Sequence, residues 1–426
     1  MTNISRKKIL LAGAAIALIL AVSWLLTTEN NAVWPVRNTI IYHLYVWFNG
    51  PLTDPPVGGP TGALAGSVRS AQGQPIEGAT VLLAYPNGAT FSTRTDAAGQ
   101  YQIEGIPPGT YRPVAGAPGF RSARFGDFWQ QVRIEAGHTA AAAALLAENP
   151  PRQVAPGTNL QLSGPTELTC QQPLASQANR WQINFNSNGQ PNQPAFYYTP
   201  TSAAPTDRLP LLMIIYPGPA DTWECVSAPL AKAGYAVLAA GPAYTFDLES
   251  DLDELERMLD FARREQFPGT AGEQIALLGG SYSSLHVQRM LQRGEENLVA
   301  ALLLGPPTDL FEMRRQLENG TYIPPFGLDQ AFRALGLPGD EPLRYFDYSG
   351  AYHVRADFPP VAILHSRHDE IVPYQQSELL AKNMTLIGAR YELYFFNGAS
   401  HYLMDEGGDA LTVFDLSLDF MARQFQ

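Results

Sequence analysis

The sequence predicts a multidomain chain: an N-terminal transmembrane helix, a small all-β sandwich, and a larger α/β domain whose mostly parallel sheet is covered by helices on both faces. Three observations predict it. The cationic Arg6-Lys7-Lys8 precedes an uncharged apolar run from Ile9 to Leu26. From Ala63 to about Leu146, short β-type runs alternate with Gly/Pro turns, as in a sandwich. From Leu211 onward, near-continuous apolar strands alternate with amphipathic helical segments, which is how strands buried on both faces read.

The chain of 426 residues is too long for one average domain of about 150 residues. Its 45% hydrophobic and 11% aromatic content supplies a sizeable core. A net charge of −12, with no basic run beyond the extreme N-terminus, argues against nucleic acid as a partner. The only two cysteines, Cys170 and Cys225, rule out a disulfide-dense scaffold or a cysteine metal cage. No pattern for a cofactor or a metal emerges.

Residues 1–30 read as a cytoplasmic stub and a membrane anchor. The run from Ile9 to Leu26 is about 18 residues, and at about 1.5 Å each it reaches roughly 27 Å, close to the hydrocarbon thickness of a bilayer. The cationic cluster stays on the cytoplasmic side, so a single-pass cell-membrane protein with its bulk extracytoplasmic is expected. A cleaved signal peptide with Ala21-Val22-Ser23 at its small-residue site is the alternative. Trp24, Leu25 and Leu26 continue the apolar run past that site and favour the anchor. Residues 31–62 form a juxtamembrane segment and linker. Within them Ile40 to Phe48 (IIYHLYVWF) is too short to span, and suits either the membrane interface or a strand packed on a neighbouring domain.

Residues 63–148 carry an ordered series: Gly66-Ser67-Val68, Gly73-Gln74-Pro75-Ile76-Glu77-Gly78-Ala79-Thr80-Val81, Thr95-Asp96-Ala97-Ala98-Gly99-Gln100-Tyr101, Ile106-Pro107-Pro108-Gly109-Thr110-Tyr111 and Gly119-Phe120. This series resembles the carboxypeptidase regulatory-like domain, a transthyretin-like β-sandwich. The resemblance implies a structural or adhesive module without catalytic residues, and the expected role is a spacer between enzyme and membrane.

Residues 149–179 read as a Pro-rich linker before an α/β domain over 180–426. There the stretch Ile275-Ala276-Leu277-Leu278-Gly279-Gly280-Ser281-Tyr282-Ser283-Ser284 runs from a strand through a tight turn into a helix. Such an elbow projects Ser281 Oγ above the sheet edge, and the Tyr282 N–H at the helix N-terminus faces the charge that develops in acyl transfer. A serine needs a base, and the base needs an orienting acid. Val361–Leu364 is a strand followed by a loop with Asp369, and Tyr391–Phe396 is the next strand followed by a loop with His401. Asp309, after the preceding strand, is the rival acid. His286 is expected to pack in the core, and His365 and His368 to be loop-packing or surface residues.

These residues resemble the α/β-hydrolases, closest to the prolyl oligopeptidase (S9) catalytic domain and related esterases. Tyr216-Pro217-Gly218-Pro219 resembles the family's Tyr-x-Gly-Pro loop, Gly279-Gly280-Ser281-Tyr282 its elbow, Leu364 to Pro373 its acid loop and Ser400-His401 its base. The resemblance implies a catalytic triad of Ser281, Asp369 and His401, with the Tyr216 hydroxyl and the Tyr282 N–H holding the oxyanion. Ser283-Ser284 depart from the usual Gly-Gly. No repeat-built propeller precedes the domain, which favours a small carboxylic ester or amide over a peptide. The expectation is thus a membrane-anchored extracytoplasmic serine hydrolase. An S9-like serine peptidase acting on short peptides is the alternative, and an inactive surface binding or adhesion protein the rival of another class. Cys170 and Cys225 are either an intramolecular disulfide or two buried thiols.

Overall fold

The computed structural model describes residues 16–25, 33–50, 52–125, 131–149, 158–171, 174–187, 189–241, 248–295, 297–323, 332, 335–397, 400–403 and 409–426. Residues 16–25 are helical, with Leu18, Ile19, Leu20 and Trp24 exposed. The remainder of the Ile9–Leu26 run lies outside the described residues. Among the described residues no helix is long and apolar enough to cross a membrane. The aromatic stretch Ile40 to Phe48 belongs to helix α1 (Trp34–Asn49) and is not a strand. Pro in its first turn and Gly50 at φ 75° beyond its end bound it as start and stop signals do. Trp47 and Phe48 are exposed on it.

The sandwich contains β1 (Gly62–Ser70), β2 (Thr80–Ala84), β3 (Thr90–Arg94), β4 (Gln100–Ile106), β5 (Gly109–Tyr111), β6 (Val114–Gly116), β7 (Ala123–Arg124), β8 (Val132–Ile134) and β9 (Thr139–Leu146). One sheet runs β4-β1-β9 and another β3-β2-β6-β7, with β5 paired to β8. Leu64, Val68, Val81, Leu83, Tyr101 and Ile103 fill the space between them. A strand of a lone sandwich alternates buried and exposed residues, yet all five residues of β2 are buried. The reason is that its outer face, Leu82 and Ala84, packs against the large domain.

That domain contains β10 (Thr158–Cys170), β11 (Ser176–Ser187), β12 (Gln190–Pro191), β13 (Ala195–Thr199), β14 (Leu209–Ile215), helix α2 (Glu224–Lys232), β15 (Ala236–Ala240), α3 (Leu248–Arg263), β16 (Thr270–Gly280), α4 (Ser283–Arg293), β17 (Leu298–Leu304), α5 (Leu310–Glu318), α6 (Pro342–Tyr348), β18 (Val361–Ser366), α7 (Gln375–Ile387), β19 (Tyr391–Phe396) and α8 (Asp409–Gln424). The sheet order is β10-β11-β13-β15-β14-β16-β17-β18-β19. Pairing is antiparallel from β10 to β15 and parallel from there to β19. Leu211, Met213 and Ile215 feed one core beside the sheet, and Leu212, Ile214 and Tyr216 the other. This is the period of two expected of a strand covered on both sides.

The linker expected over 149–179 is corrected here. From Thr158 onward the chain enters the large sheet as the edge strand β10, where Leu160 and Leu162 pack on the core and Gln161 and Ser163 pair with β11. Cys170 ends that strand and is disulfide-bonded to Cys225 in α2, with Cα atoms 5.6 Å apart. The two-thiol alternative is thereby removed.

Nor is the sandwich a detached spacer. Leu82, Ala84 and Val114 share one buried cluster with Leu310, Phe311, Met313, Tyr345 and Phe346 of the segment between β17 and β18. Each large side chain fully buried there contributes about 1.5–3 kcal/mol. Polar ties surround the cluster. Arg315 donates to both oxygens of Asp54 at 2.8 and 2.9 Å, and Asn87 Nδ2 donates to the same carboxylate at 2.7 Å. Arg124 pairs with Glu341 at 2.8 Å.

Candidate active site

Strand β16 ends at Gly280, and Ser281 turns the chain with φ 53°, a left-handed conformation uncommon for a residue with a Cβ. The Ser281 N–H donates to Leu304 O at 2.7 Å, so the turn is tied to the end of β17. Helix α4 follows at once, and its close approach needs Gly279: a Cβ there would lie 2.7 Å from Val287 Cγ2 and 2.8 Å from Ser283 O. The two serines that replace the family's glycines are fully buried. Ser283 Oγ accepts the Gly280 N–H at 3.0 Å, and its single proton is within reach of the carbonyls of both Ile215 and Gly280. Ser284 Oγ donates to Ser281 O at 2.6 Å. Ser283 therefore staples the elbow to the end of β14, and the departure from the family pattern has a structural explanation.

Asp369 stands beyond β18. Its Oδ1 accepts the N–H groups of Ile371 and Val372 at 2.8 and 2.7 Å. Its Oδ2 lies 2.7 Å from His401 Nδ1 and 3.1 Å from His365 Nε2. Burial pushes this carboxyl up, but hydrogen bonds from His365 and His401 outweigh it and hold the group at about 2. With Nδ1 donating to an ionised carboxylate, the neutral His401 ring presents Nε2 as an acceptor. The Gly305 N–H donates to Leu364 O at 2.8 Å, placing the end of β17 between the elbow and the acid loop. A Cβ on Gly305 would sit 3.2 Å from Asp369 Oδ2 and 3.6 Å from His401 Nδ1. Ser281, Asp369 and His401 thus each follow a strand of the same sheet at its carboxyl end. The hydrogen bond in place is His401–Asp369; none joins Ser281 Oγ to His401.

Tyr216 follows β14, beside the carbonyl that Ser283 holds. Its ring is buried and its hydroxyl is hydrogen-bonded to Ser227 Oγ of α2, an arrangement in which either oxygen can donate. Tyr282 precedes the first residue of α4, where backbone N–H groups have no intrahelical acceptor.

Asp309 is not an orienting acid. It caps α5, accepting from Phe311 and Glu312 N–H at 2.9 and 3.1 Å, and receives the Tyr352 hydroxyl at 2.9 Å. Burial pushes its carboxyl up to about 6. His286 is buried as expected and bonded to Asp251 at 2.8 Å. His365, expected to be an ordinary loop residue, is instead buried against Asp369; its place four positions before that acid, at a strand end, was the available signal. The acid loop and the start of α7 are also tied to the segment after β17. Gln376 Oε1 accepts from the N–H groups of Thr308 and Asp309 at 2.9 and 2.7 Å, and the Tyr322 hydroxyl donates to Ile371 O. Among the described residues no cluster of His, Cys, Asp and Glu could hold a metal ion. A cavity of about 550 Å³ between the sandwich and helices α3 and α4 is lined by Arg94, Glu249, Arg289, Asp347 and His353, and by none of the three candidate catalytic side chains.

Comparison with known proteins follows the same division. Residues 63–147 match the carboxypeptidase regulatory-like domain, and residues 249–426 match the prolyl oligopeptidase family. No curated protein matches the chain. Similar solved structures include an esterase, Est2, from the Planctomycetes species Thermogutta terrifontis. Its butyrate-bound form is 20% identical, covers 55% of this chain and 90% of its own, and has a TM-score of 0.43. The propionate-bound form is 18% identical over 64% of this chain and 96% of its own, with a TM-score of 0.44. The esterase 2 phosphonylated by cyclosarin is 18% identical over 56% and 91%, with a TM-score of 0.43. Residues 63–147 are thus a carboxypeptidase regulatory-like domain and residues 249–426 a prolyl oligopeptidase family domain, the catalytic domain of a serine hydrolase.

Proposed function

We propose that the chain hydrolyses a small carboxylic ester or amide through an acyl-enzyme on Ser281. The observation that carries this is the His401–Asp369 pair, held at 2.7 Å at the sheet edge where the Ser281 elbow also lies. His401 Nε2 takes the Ser281 proton as Oγ attacks the carbonyl carbon. The negative charge passes to the carbonyl oxygen, and Asp369 stabilises the imidazolium. Collapse of the tetrahedral intermediate expels the alcohol or amine, which receives the proton from His401. Water activated by the same ring then releases the acid.

The Tyr282 N–H is the backbone donor to the oxyanion. The Tyr216 hydroxyl is the second when Ser227 donates to it and leaves its proton for substrate. Each such donor contributes about 3–4 kcal/mol to the barrier reduction. Short peptides are the alternative substrate within the same chemistry. Labelling with a fluorophosphonate tests the reading: wild-type protein takes one label, and Ser281→Ala takes none while His401→Ala labels far more slowly. Folded wild-type protein that stays unlabelled would leave an inactive binding protein as the reading. p-Nitrophenyl esters against aminoacyl p-nitroanilides then separate esterase from peptidase.

The same proposal places the enzyme outside the cytoplasm, anchored by its N-terminal apolar run. Arg6-Lys7-Lys8 before that run support it, as do the exposed Leu18, Leu20, Trp24, Trp47 and Phe48. Fractionation with protease protection of the intact chain tests it: a chain washed off membranes by carbonate, or protected on the wrong side, overturns it.

A further inference from the structure

We infer that His365 is a positioning residue for the catalytic dyad, a second imidazole that shares Asp369 Oδ2 with His401 and fixes its direction. The inference rests on the triad reading above. His365 is the penultimate residue of β18 and is fully buried. Its Nε2 lies 3.0 Å from Val372 O and 3.1 Å from Asp369 Oδ2, and its Nδ1 lies 2.6 Å from Ser377 Oγ.

The proton positions follow from the partners. A carbonyl oxygen only accepts, so Nε2 carries a proton, which Val372 O and Asp369 Oδ2 share. Ser377 Oγ occupies Nδ1, a contact in which either atom can donate, so both ring nitrogens are satisfied. Val372 closes the arrangement: its N–H holds Asp369 Oδ1 while its carbonyl receives His365. Each carboxylate oxygen therefore meets two donors, and the group cannot rotate toward another rotamer without breaking bonds on both. An aliphatic residue there would leave Oδ2 with a single donor. Among the described residues, the other titratable groups around the dyad include Tyr322, whose hydroxyl sits on Ile371 O, Glu370, whose carboxylate accepts the His401 backbone N–H at 3.2 Å, and Tyr402, whose ring lies 5.5 Å from that of His401.

The test compares His365→Phe, which keeps ring volume and removes the donor, with His365→Gln, which restores an N–H at similar reach. In His365→Phe, kcat/KM on a p-nitrophenyl ester falls about tenfold or more, carried by kcat with KM little changed. The acid limb of its pH profile moves to higher pH, because an Asp369 with fewer donors binds the His401 imidazolium more tightly. His365→Gln recovers most of both effects. A folded His365→Phe with wild-type kcat and pH profile overturns the inference, as does a folded His365→Gln that recovers nothing. Should His365→Phe fail to fold, Ser377→Ala removes only the Nδ1 anchor; it shifts the acid limb in the same direction by less, and an unmoved limb overturns the inference. Fluorophosphonate labelling separates the two levels. Unlabelled wild type fails the triad reading, whereas labelled wild type with an equally fast His365→Phe fails this inference alone.

Discussion

Gly88 at the tip of the β2–β3 hairpin offers a clean test of whether the sandwich is part of the catalytic unit. Its φ of 104° is one that alanine rarely adopts, and a Cβ there would meet Phe311 O at 2.3 Å and Arg315 N at 2.9 Å. Gly73, at φ 82°, has nothing within 4 Å of a Cβ and serves as the matched control. Both alanine variants carry the backbone cost, about 1–2 kcal/mol. Only Gly88→Ala must also push the hairpin about 1 Å off the first turns of α5 to regain ordinary contact, which adds about 1–3 kcal/mol of overpacking. That displacement loosens the Asn87–Asp54–Arg315 contacts and the cluster around Phe311. Since Thr308 and Asp309 are tied to Gln376 at the start of α7 and Tyr322 to Ile371 of the acid loop, the effect reaches the site. The assay is the melting midpoint with kcat/KM on a p-nitrophenyl ester, for both variants. Gly88→Ala is expected to melt several degrees below Gly73→Ala and to lose activity that Gly73→Ala keeps. Equal melting and equal activity would refute the reasoning and return the sandwich to the role of a spacer.

Asp369 is held at about 2 in the folded chain, against about 3.9 when unfolded. A depressed carboxyl contributes stability that is present above the unfolded value and lost as pH falls from about 4 through about 2, here on the order of 2–3 kcal/mol. The stability gap between wild type and Asp369→Asn, followed by urea unfolding, should shrink across that window, and kcat should fall about 10⁴-fold in the variant. Tyr216→Phe is expected to lower kcat about 10²-fold if its hydroxyl receives the oxyanion, and an unchanged kcat would assign that hydroxyl to Ser227 alone. Reducing the Cys170–Cys225 bond, which closes a separation of 55 residues, should cost about 4 kcal/mol, read as a drop in the melting midpoint with added reductant. Ser281→Gly should abolish labelling yet melt higher, since glycine accepts φ 53° freely and the relief is worth about 1 kcal/mol.

The site was legible because its residues stand at strand ends in a fixed order, and apolar runs mark those ends without any tertiary knowledge. Ser281, Asp369 and His401 were each proposed from the strand before them. What was missed depends on partners far away in sequence. Strand β10 looked like a linker because an edge strand carries polar residues and tolerates Gly164-Pro165. The hydroxyl of Ser283 could be read only as a substitute for glycine until its acceptor, Ile215 O, was in place. His365 looked like loop packing because nothing local says which nitrogen meets which oxygen. One clue to the docking was present: Thr80-Val81-Leu82-Leu83-Ala84 has no alternation, and an unbroken apolar run in a small sandwich already asks for a second covering surface.

The shared cluster of Leu82, Val114, Phe311 and Phe346 also bears on the order in which the chain is made. A contact that spans more than two hundred residues is slow to find by diffusion of a free chain. Synthesis runs N-terminus first at about 5–20 residues per second, so Phe311 emerges roughly 10–45 s after Leu82. A sandwich that folds within that interval would offer its apolar face, Leu82 and Val114, before the segment that covers it exists.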